Sequence, residues 1–538
     1  MKHCHLLNPS ASVKSERLSL SSAVLVCIII FGICFRVYSV GYRSFWLDEL
    51  YSVSYAELTI GSLFKVLHTN NQMPLYFMLL HAWIWLFGDS DVAVRSLSIL
   101  FGLLGILGFF FLLRRGLRWT LNSCLMGVAL LAVNPFHVYY SIEARTYSLM
   151  FALSTLYLTA LVLMHAESDK KYYLAYAFLQ ALILYTHPIA LIYCFCINAT
   201  YVFLLFLLRE LSWPKIRNLL VASLVTAVIF APWVTVLIRQ AHLVRESFWA
   251  QLPSPIGALK IWLSITFFWS PELVEFLSSN STYIRSLIWI CIIIPVLLLM
   301  VRGGIYVIRR KNLVELLIIL SLFVYPATVY LVSLLFKPIF MNKILISSLI
   351  GLLVLIVIPE EKHFSETKTS NPLLLSLFLL ISTSLSFAVT SIDNNADWRK
   401  IAAAISQRAK PEDLVLVYKS HGASLLKRYY KGNLEFKGVT HDFEEEIKQR
   451  KLQNYYGSTY YRPFFSQDVI ERLDQLIDGR KRFFMVFSPI SNNEVIKARD
   501  FMLSSHIVNE MIMAKQSQIL ILSFSPQQNP CRCYIRPK

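Results

Sequence analysis

Long apolar runs separated by short polar segments dominate the chain from residue 20 to about residue 390. A helix needs roughly 20 apolar residues to cross the hydrocarbon core of a bilayer. Runs near 20–40, 91–113, 120–138, 143–164, 171–186, 188–208, 217–238, 284–301, 313–336, 340–358 and 372–390 supply about that length. The pattern predicts an α-helical polytopic membrane protein with about eleven transmembrane helices. One further apolar stretch, "PLYFMLLHAWIWLFG" (74–88), is short for a span, opens on a proline and carries His81 among Trp and Tyr. Such a composition predicts an interfacial helix in the first outer loop, lying against the membrane surface. Past residue 390 the pattern changes. "DWRKIAAAISQRA", "GASLLKRYY", "DVIERLDQLIDG" and 492–504 read as helices, and "DLVLVY", "FFMVFS" and "SQILILSF" as strands. This alternation predicts a soluble α/β domain over 391–538 behind a transmembrane domain over 1–390.

Composition agrees: 56% of residues are hydrophobic, 16% are charged and the mean hydropathy is +0.55, outside the range of soluble globular chains. The net charge of +18 is not the signature of a nucleic-acid partner, because much of it sits in short loops between apolar runs. These are "RRGLR" (114–118), "SDKK" (168–171), "RELSWPKIR" (209–217), "RGGIYVIRRK" (302–311) and "PEEKHFSETK" (359–368). The positive-inside bias puts these loops and the N-terminus in the cytoplasm. It leaves 41–90, the corner 135–143, the loop 239–283 and the tail on the outer side. The polar, basic residues 1–18, with no small-residue cleavage site after the long run 20–40, predict an uncleaved first span. Of nine cysteines, six fall in apolar runs, Cys4 in the N-terminal tail, and Cys531 and Cys533 in the C-terminal tail, without a wider disulfide framework.

A transporter or channel would carry charges or broken helices near the bilayer midplane. Here Arg36, Arg95, Glu143, Arg145 and Lys343 all fall at the outer ends of the predicted spans. Polar chemistry gathered on one face favours an enzyme acting on something the membrane delivers. Cations beside a carboxylate suit a lipid-borne phosphate: the cations hold the phosphate, and the carboxylate accepts a proton from an attacking hydroxyl. "GYRSFWLDELYSVS" (41–54) supplies two adjacent acids, Asp48 and Glu49, directly after the first run.

Several stretches then match a known group in order: "FWLDE" (45–49), "QMPLYF" (72–77), "LFGDSDVAVRSLSILFG" (86–102), "NPFHVYYSIEARTYSL" (134–149), "THP" (186–188) and "APW" (231–233). The chain resembles the integral-membrane glycosyltransferases that use polyprenyl-phosphate sugars, the bacterial protein-mannosyltransferase-like family (glycosyltransferase family 39). The resemblance covers roughly residues 20–240 well and the later spans weakly. It implies a GT-C type fold in the bacterial inner membrane. It also implies sugar transfer, with inversion, from a polyprenyl-phosphate donor to a lipid, glycan or protein acceptor at the periplasmic face. Asp48 becomes the general base or acceptor-orienting carboxylate; its alternative is an N-cap of the following helix. Glu49 is either catalytic or paired with a nearby cation. Arg145 is implied as a phosphate contact, against an alternative of snorkelling or pairing with Glu143. Arg95 either locks the interfacial helix or touches substrate. Glu143, Tyr76 and His187 complete the expected substrate-binding set, with Trp46, Tyr139 and Tyr147 as further aromatic contacts and His68 and His81 weaker. The family's outward Arg-Tyr pair is replaced by "KPIFMNKIL" (337–345), so Lys343 stands in its place, supplying charge without a bidentate fork. No Asp/Glu/His metal constellation is visible and no cofactor is expected, with divalent-metal dependence left open. Two rival readings remain: a flippase or transporter of a lipid-linked sugar, and an oligosaccharide transferase or polymer ligase.

Overall fold

The computed structural model describes residues 20–267, 282–391, 397–440 and 467–523, apart from 42, 168, 248–249, 359, 363–365, 369–371, 419, 481, 489–492 and 515–516. The N-terminal tail with Cys4, the Cys531/Cys533 pair, and residues 268–281 of the long outer loop lie outside the described residues. Nine of the eleven predicted spans each fall on one helix, and the runs 120–138 and 340–358 do not. By length and composition, five described helices are able to cross a membrane: Asp91–Gly116, Tyr147–Ala166, Ala190–Leu207, Trp213–His242 and Leu313–Leu335. A bent pair makes a sixth. The protein is a multi-pass helical membrane protein.

The first helix, α1, runs Leu20–Ser39. The loop after it leads into three short helices, α2 (Leu47–Ala56), α3 (Ile60–His68) and α4 (Pro74–Phe87), the last with proline in its first turn and Gly88, at φ 79°, after its end. Ser90 caps the long α5 (Asp91–Phe111) by accepting from the Ala93 N–H. Next come α6 (Leu121–Ala132), α7 (Pro135–Ser141) and α8 (Tyr147–Ala166). Small residues let α5 approach its neighbours closely: a Cβ on Gly102 would sit 2.5 Å from Ser141 Oγ, and one on Gly105 would sit 2.7 Å from the Phe151 ring. Close approach of this kind is how membrane helices gain packing contact.

The run 120–138, read from sequence as one span, is broken. Its two halves, α6 and α7, meet at 62°. The cause is local: Pro135 lacks an N–H, and Asn134 turns to cap α7 by accepting from His137 N. Carbonyls freed by a break at membrane depth need partners. Arg36 supplies one to Ala132 O (2.7 Å) and Ser386 Oγ one to Val133 O (2.6 Å). The run 340–358 also differs, because its helix begins only at Ser348. Residues Asn342–Leu345 form a 3-10 turn instead. Asn342 Oδ1 accepts from the Lys343 N–H, and Tyr325 OH donates to Ile344 O at 2.7 Å.

After the helix Pro372–Ser391 the chain forms an α/β unit. Besides the short hairpin β1 (Glu360–Lys362) and β2 (Glu366–Lys368), the strands are β3 (Leu414–Tyr418), β4 (Glu435–Gly438), β5 (Arg482–Phe487), β6 (Ile507–Ala514) and β7 (Ser517–Ser523). They form a sheet in the order β4-β3-β5-β7-β6, with β3 parallel to β4 and β5, and β7 antiparallel to β5 and β6. The strands read from sequence are β3, β5 and β7; β4 and β6 flank them as edges.

Candidate active site

The α2 helix starts at Leu47, with Trp46 before it, so Asp48 and Glu49 both lie in its first turn, where carboxylates are favoured by the helix dipole. Asp48 is therefore not the N-cap. The two acids enter different surroundings. Glu49 is buried, with 1% of its side chain exposed. Its Oε1 accepts from Arg95 Nε (2.8 Å) and from the Ala144 N–H (3.0 Å), and its Oε2 accepts from Arg95 Nη2 (2.6 Å) and the Trp46 N–H (3.4 Å). Arg95 also donates to the carbonyls of Val40 (3.0 Å), Arg43 (2.7 Å) and Ser44 (3.1 Å). A guanidinium has five N–H donors. All five of Arg95's are engaged within the protein, which leaves none for a substrate.

Asp48 keeps 26% of its side chain exposed and faces two cations. Its Oδ2 lies 3.4 Å from Lys343 Nζ and 3.9 Å from Arg145 Nη2. Burial acts to raise the Asp48 pKa, but the Lys343 and Arg145 charges and the Lys343 hydrogen bond outweigh it and hold the carboxyl below its ordinary value. Lys343 stands on the 3-10 turn, with its ammonium 5.6 Å from the Trp46 ring centre and 5.7 Å from that of Tyr147. Arg145 is buried; its Nη1 donates to Asp48 O (3.3 Å) and Ser52 Oγ (3.2 Å). Among the described residues its Nε has no hydrogen-bond acceptor, and neither has the buried Trp46 Nε1.

Glu143 lies at the corner between α7 and α8 and does not pair with Arg145 through its side chain. Its Oε2 is buried without a partner among the described residues, beside a small cavity also lined by Arg43, Trp46, Glu49, Arg95 and Tyr139. Burial, reinforced by the negative charge of Glu49, pushes its pKa up to about 8. His187 follows the helix Lys170–Leu184, with its ring 6.2 Å from Tyr147 and its Nδ1 accepting from the Ile189 N–H at 3.2 Å. Burial, together with Arg145 and Lys343, pushes its pKa down to about 3, so it is neutral. Tyr76 is fully buried and its hydroxyl bonds Ser98 at 2.8 Å. His81 bonds Ala56 O, and His68 packs on Trp233, both in structural contacts. The structure thus gathers Asp48, Arg145, Lys343, Glu143 and His187 and sets Glu49, Arg95 and Tyr76 in the frame around them. Ser52, which sequence reading passed over, joins through Arg145; a serine one helical turn after an acid carries no signal of its own. Among the described residues no three His, Cys, Asp or Glu side chains cluster as metal ligands.

Residues 71–235 match the family model described as dolichyl-phosphate-mannose-protein mannosyltransferase. The match bears out the resemblance read from "QMPLYF" through "APW" and includes Arg95, Glu143, Arg145 and His187, while Asp48 and Lys343 lie outside it. No curated protein sequence matches the chain. Among solved structures, the chain is similar to ArnT from Cupriavidus metallidurans in the apo state, at 14% identity and a TM-score of 0.49, covering 94% of this chain and 98% of that one. The same protein bound to undecaprenyl phosphate gives 14% and 0.47, with the same coverage. The Archaeoglobus fulgidus oligosaccharyltransferase in complex with Zn and sulfate gives 13% and 0.48, covering 86% of this chain and 68% of that one.

Proposed function

We propose that this chain is a glycosyltransferase that moves a sugar from a polyprenyl-phosphate donor to a hydroxyl acceptor at the outer, periplasmic face of a bacterial inner membrane. One observation carries the reading: of two adjacent carboxylates, Glu49 is fully engaged by Arg95, while Asp48 is part-exposed between Lys343 and Arg145. The lipid tail of the donor stays among the helices, and its phosphate sits against Arg145 and Lys343. The acceptor oxygen attacks the anomeric carbon, the bond from that carbon to the phosphate oxygen breaks, and its electrons leave with the polyprenyl phosphate. The hydroxyl proton passes to Asp48. A single displacement inverts the anomeric centre. The cations offset the charge gathering on the leaving phosphate, so no strong acid is needed.

The same geometry supports an order of events. Without donor, both cations hold Asp48 and keep it a weak base. A donor phosphate shares those cations, which raises the proton affinity of Asp48 as the substrate arrives. The Arg145 Nε, without an acceptor among the described residues, is a further donor for the phosphate. The test is Asp48→Asn in the full chain, with mass spectrometry of cell-envelope lipids and glycans. The sugar-modified species present with the wild-type chain should be lost, while the amount of inserted protein stays the same. Near-normal product in that variant would leave the site as a cationic lipid-phosphate site without a base, as a flippase needs.

A further inference from the structure

The loop that leads into α2 is held from two sides. From α5, Arg95 binds the carbonyls of Val40, Arg43 and Ser44. From the C-terminal α/β unit, the helix Trp398–Ser406 brings Arg399, and the helix His421–Tyr429 brings Arg428 and Tyr429. Arg399 donates to Gly41 O (2.5 Å) and Arg43 O (3.4 Å), its backbone N–H donates to Ser44 Oγ (3.4 Å), and its guanidinium pairs with Asp91 at the start of α5. Tyr429 OH accepts from the Phe45 N–H at 2.8 Å and donates to Asp91 Oδ2 at 2.7 Å. The Phe45 ring, fully buried, has the Arg95 guanidinium 4.9 Å away and that of Arg428 4.7 Å away. These contacts reach Gly41, Arg43, Ser44 and Phe45, the last of them three residues before Asp48. Of these seven bonds to residues between Val40 and Phe45, four come from a part of the chain more than 350 residues away in sequence.

We infer that Tyr429 and Arg399 are positioning residues for Asp48. By fixing residues 41–45 they fix where α2 begins, and thereby where its first-turn carboxylate stands against Lys343 and Arg145. The α/β unit then completes the active-site loop. The inference rests on the Asp48 reading under Proposed function. A positioning residue governs turnover more than binding, because the cations that take the phosphate are carried on other elements: Lys343 on its 3-10 turn and Arg145, though bonded to Asp48 O and Ser52 Oγ, on the corner before α8.

The experiment uses the full-length chain carrying Tyr429→Phe, Arg399→Ala or Arg480→Ala. Arg480, which pairs with Glu435 of β4 and donates to Glu412 O, serves as the control. Two quantities are read: the envelope species that disappears when the chain is deleted, and the affinity of purified protein for undecaprenyl phosphate. Tyr429→Phe and Arg399→Ala should lower the product at least tenfold, while the affinity for undecaprenyl phosphate stays within threefold of wild type; a shift of 1.4 kcal/mol would be needed for tenfold. Arg480→Ala should match wild type in both. Wild-type product in both test variants overturns the inference, as does a parallel loss of product and affinity, which marks general misfolding. Asp48→Asn, run alongside, separates the two proposals. If it is inactive while the test variants are normal, only the positioning role falls. If it is active, the base assignment falls, and any loss in Tyr429→Phe then acts through something other than Asp48, which overturns this inference too.

Discussion

Replacing Arg95 by leucine should damage stability far more than any change to Asp48. The side chain is 4% exposed, and its partner Glu49 is 1% exposed. In Arg95→Leu the Glu49 carboxylate stays buried with only the Ala144 N–H at 3.0 Å and the Trp46 N–H at 3.4 Å to oppose its charge. The Val40, Arg43 and Ser44 carbonyls lose the same donor at once. Removing one partner of a buried ion pair costs roughly 3–5 kcal/mol, because the remaining charge is left uncompensated. Asp48→Asn is different. That side chain is 26% exposed and its ion pairs are long, at 3.4 and 3.9 Å. A part-exposed pair of that length contributes about 1 kcal/mol, and in the variant Arg145 keeps its bonds to the residue 48 carbonyl and Ser52 Oγ.

The assay is the thermal midpoint of the purified protein in detergent, followed by intrinsic fluorescence. Arg95→Leu should fall by several degrees, and Asp48→Asn should keep the wild-type midpoint while losing transfer. Glu49→Gln in the Arg95→Leu background removes the orphaned charge, so the double variant should be less destabilised than the sum of its parts. A wild-type midpoint for Arg95→Leu would refute the lock and return Arg95 to the list of substrate contacts.

Two further outcomes follow from the same geometry. The Glu143 carboxyl is raised from its ordinary 4.5 to about 8. Between those values the folded protein holds a proton that the unfolded chain has released, so stability present in acid is lost as the pH rises through that window. Glu143→Gln should flatten this dependence in the thermal midpoint; equal slopes for variant and wild type would contradict the assignment. Lys343→Met should weaken undecaprenyl phosphate binding about 10- to 100-fold, as expected for one charge-assisted hydrogen bond, and an unchanged affinity would remove Lys343 from the phosphate site.

The spans were legible because a run of about 20 apolar residues is its own signal. What hydropathy does not carry is pairing. The break at Val133–Asn134 is invisible to an apolar average, since the residues on either side are apolar and the proline merely starts a new helix. A charge at a helix end looks the same whether it awaits substrate or is bonded internally. Arg95 and Arg145 were therefore indistinguishable in kind until the donors of each were counted. The strand β4, "EFKG", is too short and polar to announce itself, and β6 loses its alternation at a bulge between Val508 and Glu510. Arg399 was legible only as a residue of the helix "DWRKIAAAISQRA", because the loop it binds lies some 355 residues earlier.

The adjacent acids show why such a site needs coordinates as well as a motif. Successive residues on a helix point about 100° apart, so two carboxylates in one turn cannot share a partner set. Leu47 begins the helix, and from there the direction of each acid is fixed: Glu49 turns toward α5 and meets Arg95, and Asp48 turns toward the opening and meets Lys343 and Arg145. A shift of the register by one residue would turn both acids by about 100°, so that at most one of them would still meet a partner set built for an acid. The start is set by Trp46 and by Phe45 before it, whose N–H is held by Tyr429. The division of labour between the two acids therefore depends on the loop clamp as much as on the acids themselves. It follows that Glu49→Asp/Asp48→Glu, which keeps both charges in place but changes their reach, should fail to transfer sugar even though the acidic pair remains.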